Sequence, residues 1–337
     1  MKGKEIAFVS IGKAELRDYE VYEGVPARDH LLLKTIVTLV SPGTERDCLM
    51  DLTHVKGNYP KVLGYSAVAE VVKAGEGVDE FKVGERVMVY HSAHRSYQYK
   101  HKEDVYKYPC PELPPEEAVF TIVGAMGFQG LRKVQVELGE SVMVMGQGLL
   151  GIFALQCARL SGAFPLIALD RSPDRRALAL ELGADYAFDP EEEGIAEKLK
   201  SLTNGGVNCV VEVTGNPEAI HLGLASMAPM GRISLVGCSR TATKEVDFYN
   251  EVHRPGISVI GAHNFARPKH DRRPGYWTNR EDVELLQKLI AKGRIKVKPF
   301  LTRVASPVEA PEIYDELAAG PKKPFGVVFD WRKLEQC

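Results

Sequence analysis

A glycine-rich turn in the middle of the chain limits the possible folds more than any other feature. Gly146-Gln147-Gly148-Leu149-Leu150-Gly151 follows an apolar run, Val142 to Met145, and opens a helical one, Ile152 to Leu160. A second apolar run from Leu166 then ends in an acid, Asp170. Glycine turns are common, and G-x-G-x-x-G alone is weak evidence. Between a strand and a helix, with an acid closing the next strand, it predicts the first βαβ unit of a doubly wound parallel sheet that binds a dinucleotide. Gly146 permits the tight turn, Gly148 lets backbone approach a pyrophosphate, and Gly151 lets the helix pack against the strand. The anion is expected on the N–H groups at the helix start, those of Leu149 and Leu150. Asp170 suits the ribose hydroxyls of NAD and repels the 2′-phosphate of NADP. Arg171 beside it, with Arg175 and Arg176 nearby, keeps NADP open as the less favoured cofactor.

Patterning differs on the two sides of this motif. Leu31 to Val40, Ala67 to Val72 and Val87 to Tyr90 are β-branched runs punctuated by Gly64, Gly75, Gly77 and Gly84, which predicts a mainly β domain. Pro109, Pro111, Pro114 and Pro115 close it. Helices then alternate with short buried strands at Val207 to Val213, Ile233 to Gly237 and Ser258 to Gly261, the habit of a parallel sheet. Ser172-Pro173-Asp174 reads as a helix start and Gly183 as its end. After about Asn264 the chain turns polar, carries an amphipathic helix over Glu281 to Lys292, and finishes in the apolar strand Gly326 to Phe329, expected to rejoin the first domain. The expected fold is α/β, with a doubly wound Rossmann sheet at 119–264 inserted into a mainly β domain formed by 1–118 and 265–337.

The chain of 337 residues is long enough for two domains, each with its own core. Its 43 Lys and Arg nearly balance 45 Asp and Glu, a net charge of −2, which argues against a nucleic-acid partner. The first eight residues lack the apolar core of a signal peptide, and no apolar run reaches the roughly 18 residues of a membrane span, so a cytoplasmic protein is expected. Six dispersed cysteines without a C-x-x-C pair suggest neither a disulfide framework nor a four-cysteine zinc site.

Over nearly its whole length the chain resembles the medium-chain dehydrogenases that include zinc alcohol and polyol dehydrogenases. The segment Leu63-Gly64-Tyr65-Ser66-Ala67-Val68-Ala69-Glu70-Val71-Val72, with Gly75, Val78, Phe81 and Gly84-Glu85-Arg86-Val87, is similar to the family's stretch around its glycine-histidine-glutamate motif. Val213 to Ala219 and Gly231-Arg232 resemble its later coenzyme-domain turns. The resemblance implies a GroES-like catalytic domain, and coenzyme contacts at Thr214 and Gly237. Zinc-dependent relatives hold their metal with a Cys, a His and a further Cys, Glu or Asp. Here Pro42 stands for the Cys, Tyr65 for the His and Ser66 for the Glu beside it, and Thr121 to Gly124 offers no strong ligand. Ser92 to Lys107 lacks the four-cysteine lobe. No zinc is therefore expected; an unrelated site from Cys48, His54, His91 and His94 has no recognised ligand spacing.

Without zinc, side chains must take the alcohol proton or stabilise the oxyanion. By resemblance Thr44 holds the place of a proton-relaying hydroxyl, although it is equally a turn threonine. Tyr65 is expected to face the reaction cleft, hydrogen-bonded to Glu45, which stands where relatives orient the metal ligand; the plainer alternative is that Tyr65 only fills the vacated space. His91 aligns with a substrate-pocket position and can act as acid or base. His94 is by default structural. The cationic and aromatic segment from His263 to Trp277 suits a sugar, cyclitol or sugar phosphate, and is equally a solvated basic loop. These readings favour oxidation of a secondary alcohol, with a zinc-free quinone or enone reductase and a non-catalytic dinucleotide sensor as alternatives. The apolar edge Ile257-Ser258-Val259-Ile260 predicts a homodimer or homotetramer.

Overall fold

In the computed structural model, which describes residues 1–52, 58–239, 241–273, 276–320 and 325–336, the β-rich first third of the sequence meets the apolar C-terminal strand. Together they make one of two units, residues 1–122, 283–293 and 297–337; the other is 123–282 with 294–296. In the first unit β1 (Lys2–Ser10) and β2 (Lys13–Glu20) form an antiparallel hairpin. Gly12 turns it at φ +73, a left-handed conformation that glycine adopts without strain. β3 (His30–Leu39), β4 (Ser66–Ala74), β5 (Arg86–Tyr90), β6 (Tyr97–His101) and β7 (Val105–Lys107) follow. β4 pairs antiparallel with β3 and β5, and β6 lies against β3. Leu31, Leu33, Ala67, Val71, Val87 and Val89 form one apolar core between them.

The second unit contains six parallel strands: β8 (Val142–Met145), β9 (Leu166–Leu169), β10 (Tyr186–Phe188), β11 (Val207–Glu212), β12 (Met227–Leu235) and β13 (Ser258–Gly261). Their spatial order, β10-β9-β8-β11-β12-β13, is that of the doubly wound fold, and its switch point lies between β8 and β11. Open α/β sheets bind ligands there, beyond the carboxyl ends of the strands. β8 and β9 are buried at every residue, which explains why their sequences run apolar without alternating. The helix Pro173–Glu181 starts as its sequence predicts, with the Ser172 hydroxyl accepting the Arg175 N–H, and stops before Gly183 at φ +111.

The chain returns to the first unit with β14 (Arg303–Ala305) and β15 (Val327–Asp330). β15 pairs antiparallel with β3, Val328 opposite Leu39, so the C-terminal strand completes the N-terminal sheet. The helix Ala310–Ala319 covers a second core in which Phe8, Leu49, Tyr314, Phe329 and Trp331 meet. Among the described residues no helix is long and apolar enough to cross a membrane.

Residues 265–282, which the change in composition groups with the first domain, lie in the second unit. The reason is a buried arginine. Arg267 donates to Gln129 Oε1 at 2.7 Å and to the Ala125 carbonyl at 3.0 Å, while Asp282 accepts from Arg132 at 2.7 Å. Composition could not reveal these ties.

Phe329 is fully buried in the second core and meets His94 edge-on at 5.5 Å. Phe329→Ala is expected to lower the unfolding free energy of the first unit by about 3–5 kcal/mol, read as a shifted urea midpoint; an unchanged midpoint would place the core elsewhere.

Candidate functional site

In the second unit the glycine turn has little room to spare. Gly146 adopts φ +91, and a Cβ added at Gly151 would lie 1.8 Å from the Gly146 carbonyl oxygen. Gly148 caps the helix Leu149–Leu160. The first-turn N–H groups, those of Leu149 and Leu150 included, have no carbonyl one turn back, so they remain donors for an anion at the positive end of the helix. The turn after β11 closes in from the other side of the switch point. A Cβ at Gly146 would stand 2.7 Å from the Thr214 methyl, and one at Gly237 would stand 2.1 Å from the Gly215 nitrogen. Gly146, Thr214 and Gly237, far apart in sequence, therefore line one cradle whose close backbone approaches leave no place for side chains.

The carboxylate of Asp170 accepts the Gln147 N–H at 2.7 Å and the Ser172 N–H at 2.8 Å, tying the end of the second strand to the glycine turn. The three neighbouring arginines separate by role. Arg171 projects into solvent and pairs with Glu191 at 3.5 Å. Arg176 is committed to Asp189 and to the Asp170 carbonyl. Arg175 alone stands beside the acid, 3.9 Å from its Oδ2. A dinucleotide fits these residues: open helix-end donors for its pyrophosphate and an acid for its ribose.

Two residues of the cradle went unnoticed in the sequence. Gln147 is fully buried and donates to the Val144 carbonyl at 2.8 Å. Glu212, also fully buried, accepts from the Thr214 N–H at 2.6 Å and the Gly215 N–H at 3.1 Å, as well as from the Thr214 hydroxyl. Burial pushes its carboxyl above the ordinary range, and these hydrogen bonds oppose the rise. The available signal was an acid inside the mostly apolar run from Val207 to Val213, where Asn208 is the other polar residue.

In the first unit, Pro42–Leu49 is a helix with Ser41 at its cap, so Thr44 stands in a first helical turn, exposed, rather than in a loop. Glu45 is fully buried, and here the structure corrects the sequence. Its carboxylate accepts from the Ser41 N–H at 2.8 Å, from Tyr314 Oη at 2.5 Å, and from His94 Nε2 at 3.3 Å on both oxygens; Tyr65 is not among its partners. Consistent assignment of hydrogens runs inward: Trp331 Nε1–H donates to Thr38 Oγ1 at 3.0 Å, and the Thr38 hydroxyl donates to His94 Nδ1 at 2.7 Å. His94 Nε2–H then donates to Glu45. Burial and the adjacent carboxylate push the Tyr314 phenol well above its usual value, so it stays a donor. Glu45 positions backbone and touches no solvent.

Tyr65 and His91 do meet. Ser66 pairs with Tyr90 across β4 and β5, so the residues one step beyond this pair face each other, with ring centroids 5.8 Å apart. Gly64, at φ +140, makes this possible: a Cβ there would stand 2.4 Å from the Ser92 carbonyl oxygen. His91 itself adopts φ +48, and partial burial holds its imidazole below the usual value.

The positions where relatives hold zinc offer little to a metal. Pro42 has no side-chain donor, the Ser66 hydroxyl is given to the Val119 carbonyl, and Thr121 donates to the Ala118 carbonyl at 2.8 Å. Among the described residues no three His, Cys, Asp or Glu side chains converge on a metal position. Of the group Cys48, His54, His91 and His94, His54 lies outside the described residues, and His94 is committed to Glu45 and Thr38. Within the stretch from His263 to Trp277, Arg267 is committed to the fold: its side chain is 5% exposed and bound within its own unit, whereas His263, Phe265 and Lys269 to Arg273 are exposed.

Two family models match the chain. One, a zinc-binding dehydrogenase, covers residues 150–276, and the other, an alcohol dehydrogenase GroES-like domain, covers residues 44–136. L-threonine 3-dehydrogenase of Pyrococcus abyssi is 28% identical over 332 residues, 86% of this chain and 87% of the relative. D-arabitol-phosphate dehydrogenase of Enterococcus avium is 24% identical over 353 residues, 94% and 92% respectively. A protein of Sinorhizobium meliloti, described as a zinc-binding dehydrogenase and solved bound to NADP, matches with a TM-score of 0.82 at 22% identity, covering 98% of this chain and 99% of that one. Fold and cradle thus define an oxidoreductase with a nicotinamide-dinucleotide domain. The chain belongs to the alcohol dehydrogenase superfamily of medium-chain enzymes.

Gly151→Ala must displace the helix start from the turn, and is expected to weaken NADH binding by roughly tenfold or more in a fluorescence titration; unaltered affinity would remove the pyrophosphate from this position. Burial raises the Asp282 carboxyl from 3.8 to about 6. Because the folded value lies above the unfolded one, its contribution to stability is complete below about pH 3.8 and lost as pH rises through about 6. Asp282→Asn is expected to flatten that part of the pH–stability curve while lowering stability overall, since Arg132 and Arg267 lose their partner.

Proposed function

We propose that this chain is an NAD-dependent oxidoreductase that interconverts a secondary alcohol and a ketone on a sugar-, cyclitol- or polyol-like substrate without zinc. The observation that carries the reading is the Tyr65–His91 pair, two proton-exchanging side chains 5.8 Å apart, with Tyr65 at the position where relatives place a metal-ligating histidine. Bound dinucleotide supplies the hydride acceptor. Tyr65 and His91 hold the substrate oxygen and exchange its proton, and the exposed Thr44 hydroxyl adds a hydrogen bond to it. Glu45 acts at one remove, by fixing the helix turn on which Thr44 stands. Asp170 favours NAD, and Arg175 is the residue that a 2′-phosphate would meet.

The polyol class rests on the names of the relatives and on these hydroxyl and imidazole donors, no longer on the basic segment from His263 to Trp277. We also propose that copies associate through β13, the edge of the six-stranded sheet, where Val259 is 42% exposed.

The test is NAD reduction with D-sorbitol, D-arabitol and myo-inositol, with and without EDTA. Turnover that survives EDTA and drops about 10²–10⁴-fold in Tyr65→Phe supports the reading. Turnover abolished by EDTA and restored by zinc would overturn the metal-free mechanism. Activity confined to enones or quinones would overturn the alcohol assignment, and a monomer in sedimentation would dismiss the β13 interface.

A further inference from the structure

Several lysines of the first unit are held by carboxylates, and Lys100 is not. Lys4, Lys61, Lys102 and Lys107 each pair with a carboxylate within 3.0 Å. Lys100, on β6, makes no ion pair among the described residues; its Nζ donates to the carbonyl of His91 at 2.6 Å. An ammonium has three donors, and this contact uses one. The carbonyl belongs to the residue whose ring faces Tyr65, so Lys100 reaches the same corner of the unit as the two proposed proton-exchanging groups. His91, just past the end of β5, is thus met from two directions, by the Tyr65 ring at its own ring and by the Lys100 ammonium of β6 at its carbonyl.

We propose that Lys100 is a further catalytic residue, the group that finally takes the proton of the substrate alcohol. The inference rests on the proposed alcohol–ketone reaction. In the oxidation, the substrate O–H bond breaks and its proton passes to the neutral Lys100 amine, while the carbinol C–H bond delivers hydride to the nicotinamide of the bound dinucleotide. The C=O bond forms, the substrate loses two electrons, the dinucleotide gains them, and the resulting ammonium releases its proton to water. In the reduction the ammonium returns that proton to the forming alkoxide.

The surroundings favour this use. Burial pushes the Lys100 ammonium below its ordinary value; Asp104 opposes the shift and Arg95 adds to it. Arg95 is itself held by Glu5 at 2.6 Å, and the other neighbour, His91, is likewise shifted toward its neutral form. A half-buried lysine with no carboxylate at ion-pair distance among the described residues is expensive to keep for structure alone. It is the environment in which an amine exchanges protons near neutral pH.

The plain rival is that Lys100 only holds the His91 backbone at its positive φ, a positioning role. Arginine separates the two, because it can keep the hydrogen bond and the charge but does not deprotonate in proteins. With D-sorbitol and NAD, Lys100→Arg and Lys100→Met are both expected to lower kcat by about 10²–10⁴-fold, to lose the rise of rate with pH, and to keep NADH affinity. Added methylamine is expected to restore part of the Lys100→Met rate. Wild-type turnover in Lys100→Arg would overturn the proposal in favour of positioning. A second measurement needs no substrate: labelling of the intact chain with trinitrobenzenesulfonate, read peptide by peptide across pH. Lys100 reacting at lower pH than the bulk of the lysines supports the proposal, and Lys100 reacting with the bulk overturns it even if no polyol is turned over.

Discussion

A single buried carboxylate organises the first unit. Glu45 gathers donors from a helix cap, from the segment between β5 and β6, and from a helix near the other end of the chain, and the same network runs through Thr38 on β3 to Trp331. Isolated in an apolar core, such a charge would be untenable; surrounded by N–H and O–H groups it is satisfied, and every donor depends on it. Removing one partner of a buried charge of this kind typically costs about 3–5 kcal/mol. The apolar core around Phe8, Phe329 and Trp331 supplies cohesion without direction. The hydrogen bonds supply direction, so the turn bearing Thr44 has one conformation rather than several.

The second unit obtains its precision by the opposite means, through atoms that are missing. Its cradle is shaped by backbone segments that approach closer than any Cβ would allow, at Gly146, Gly151 and Gly237. Buried Glu212 then gathers the N–H groups of the turn after β11, while Asp170 holds the glycine turn. Polar side chains here serve the backbone, leaving the first-turn helix donors to a ligand.

Local signals made much of this legible. The glycine motif, the buried strands β8 and β9, the capped helix after Ser172 and the C-terminal strand all depend on neighbours in sequence or on simple periodicity. The Tyr65–His91 contact was within reach for the same reason, since two antiparallel strands joined near one end bring their far residues together. The Glu45 network was not: its partners lie 49 and 269 residues away, and no periodicity encodes which buried donor meets which acid. His94 read as structural and His91 as the acid or base, and the one is sealed in the core while the other lies at a strand end, but nothing in the sequence named the partners of His94. Arg267 misled for a related reason. A cation in a basic stretch reads as solvent-facing or ligand-facing until its distant carboxylate and amide partners are known.

β15 completes a sheet begun by β3 nearly three hundred residues earlier, and this sets a timetable for biosynthesis. The 123–282 unit is almost contiguous and can close as soon as its own strands have left the ribosome. The N-terminal strands cannot; the open edge of β3 and the acceptor face of Glu45 wait for the last segment of the chain. During that interval the nascent protein carries one finished body and one unfinished sheet with unsatisfied backbone groups, the kind of surface that chaperones shield and that pairs wrongly with other chains. The first sheet therefore cannot be completed before β15 has been made, however early β3 emerges.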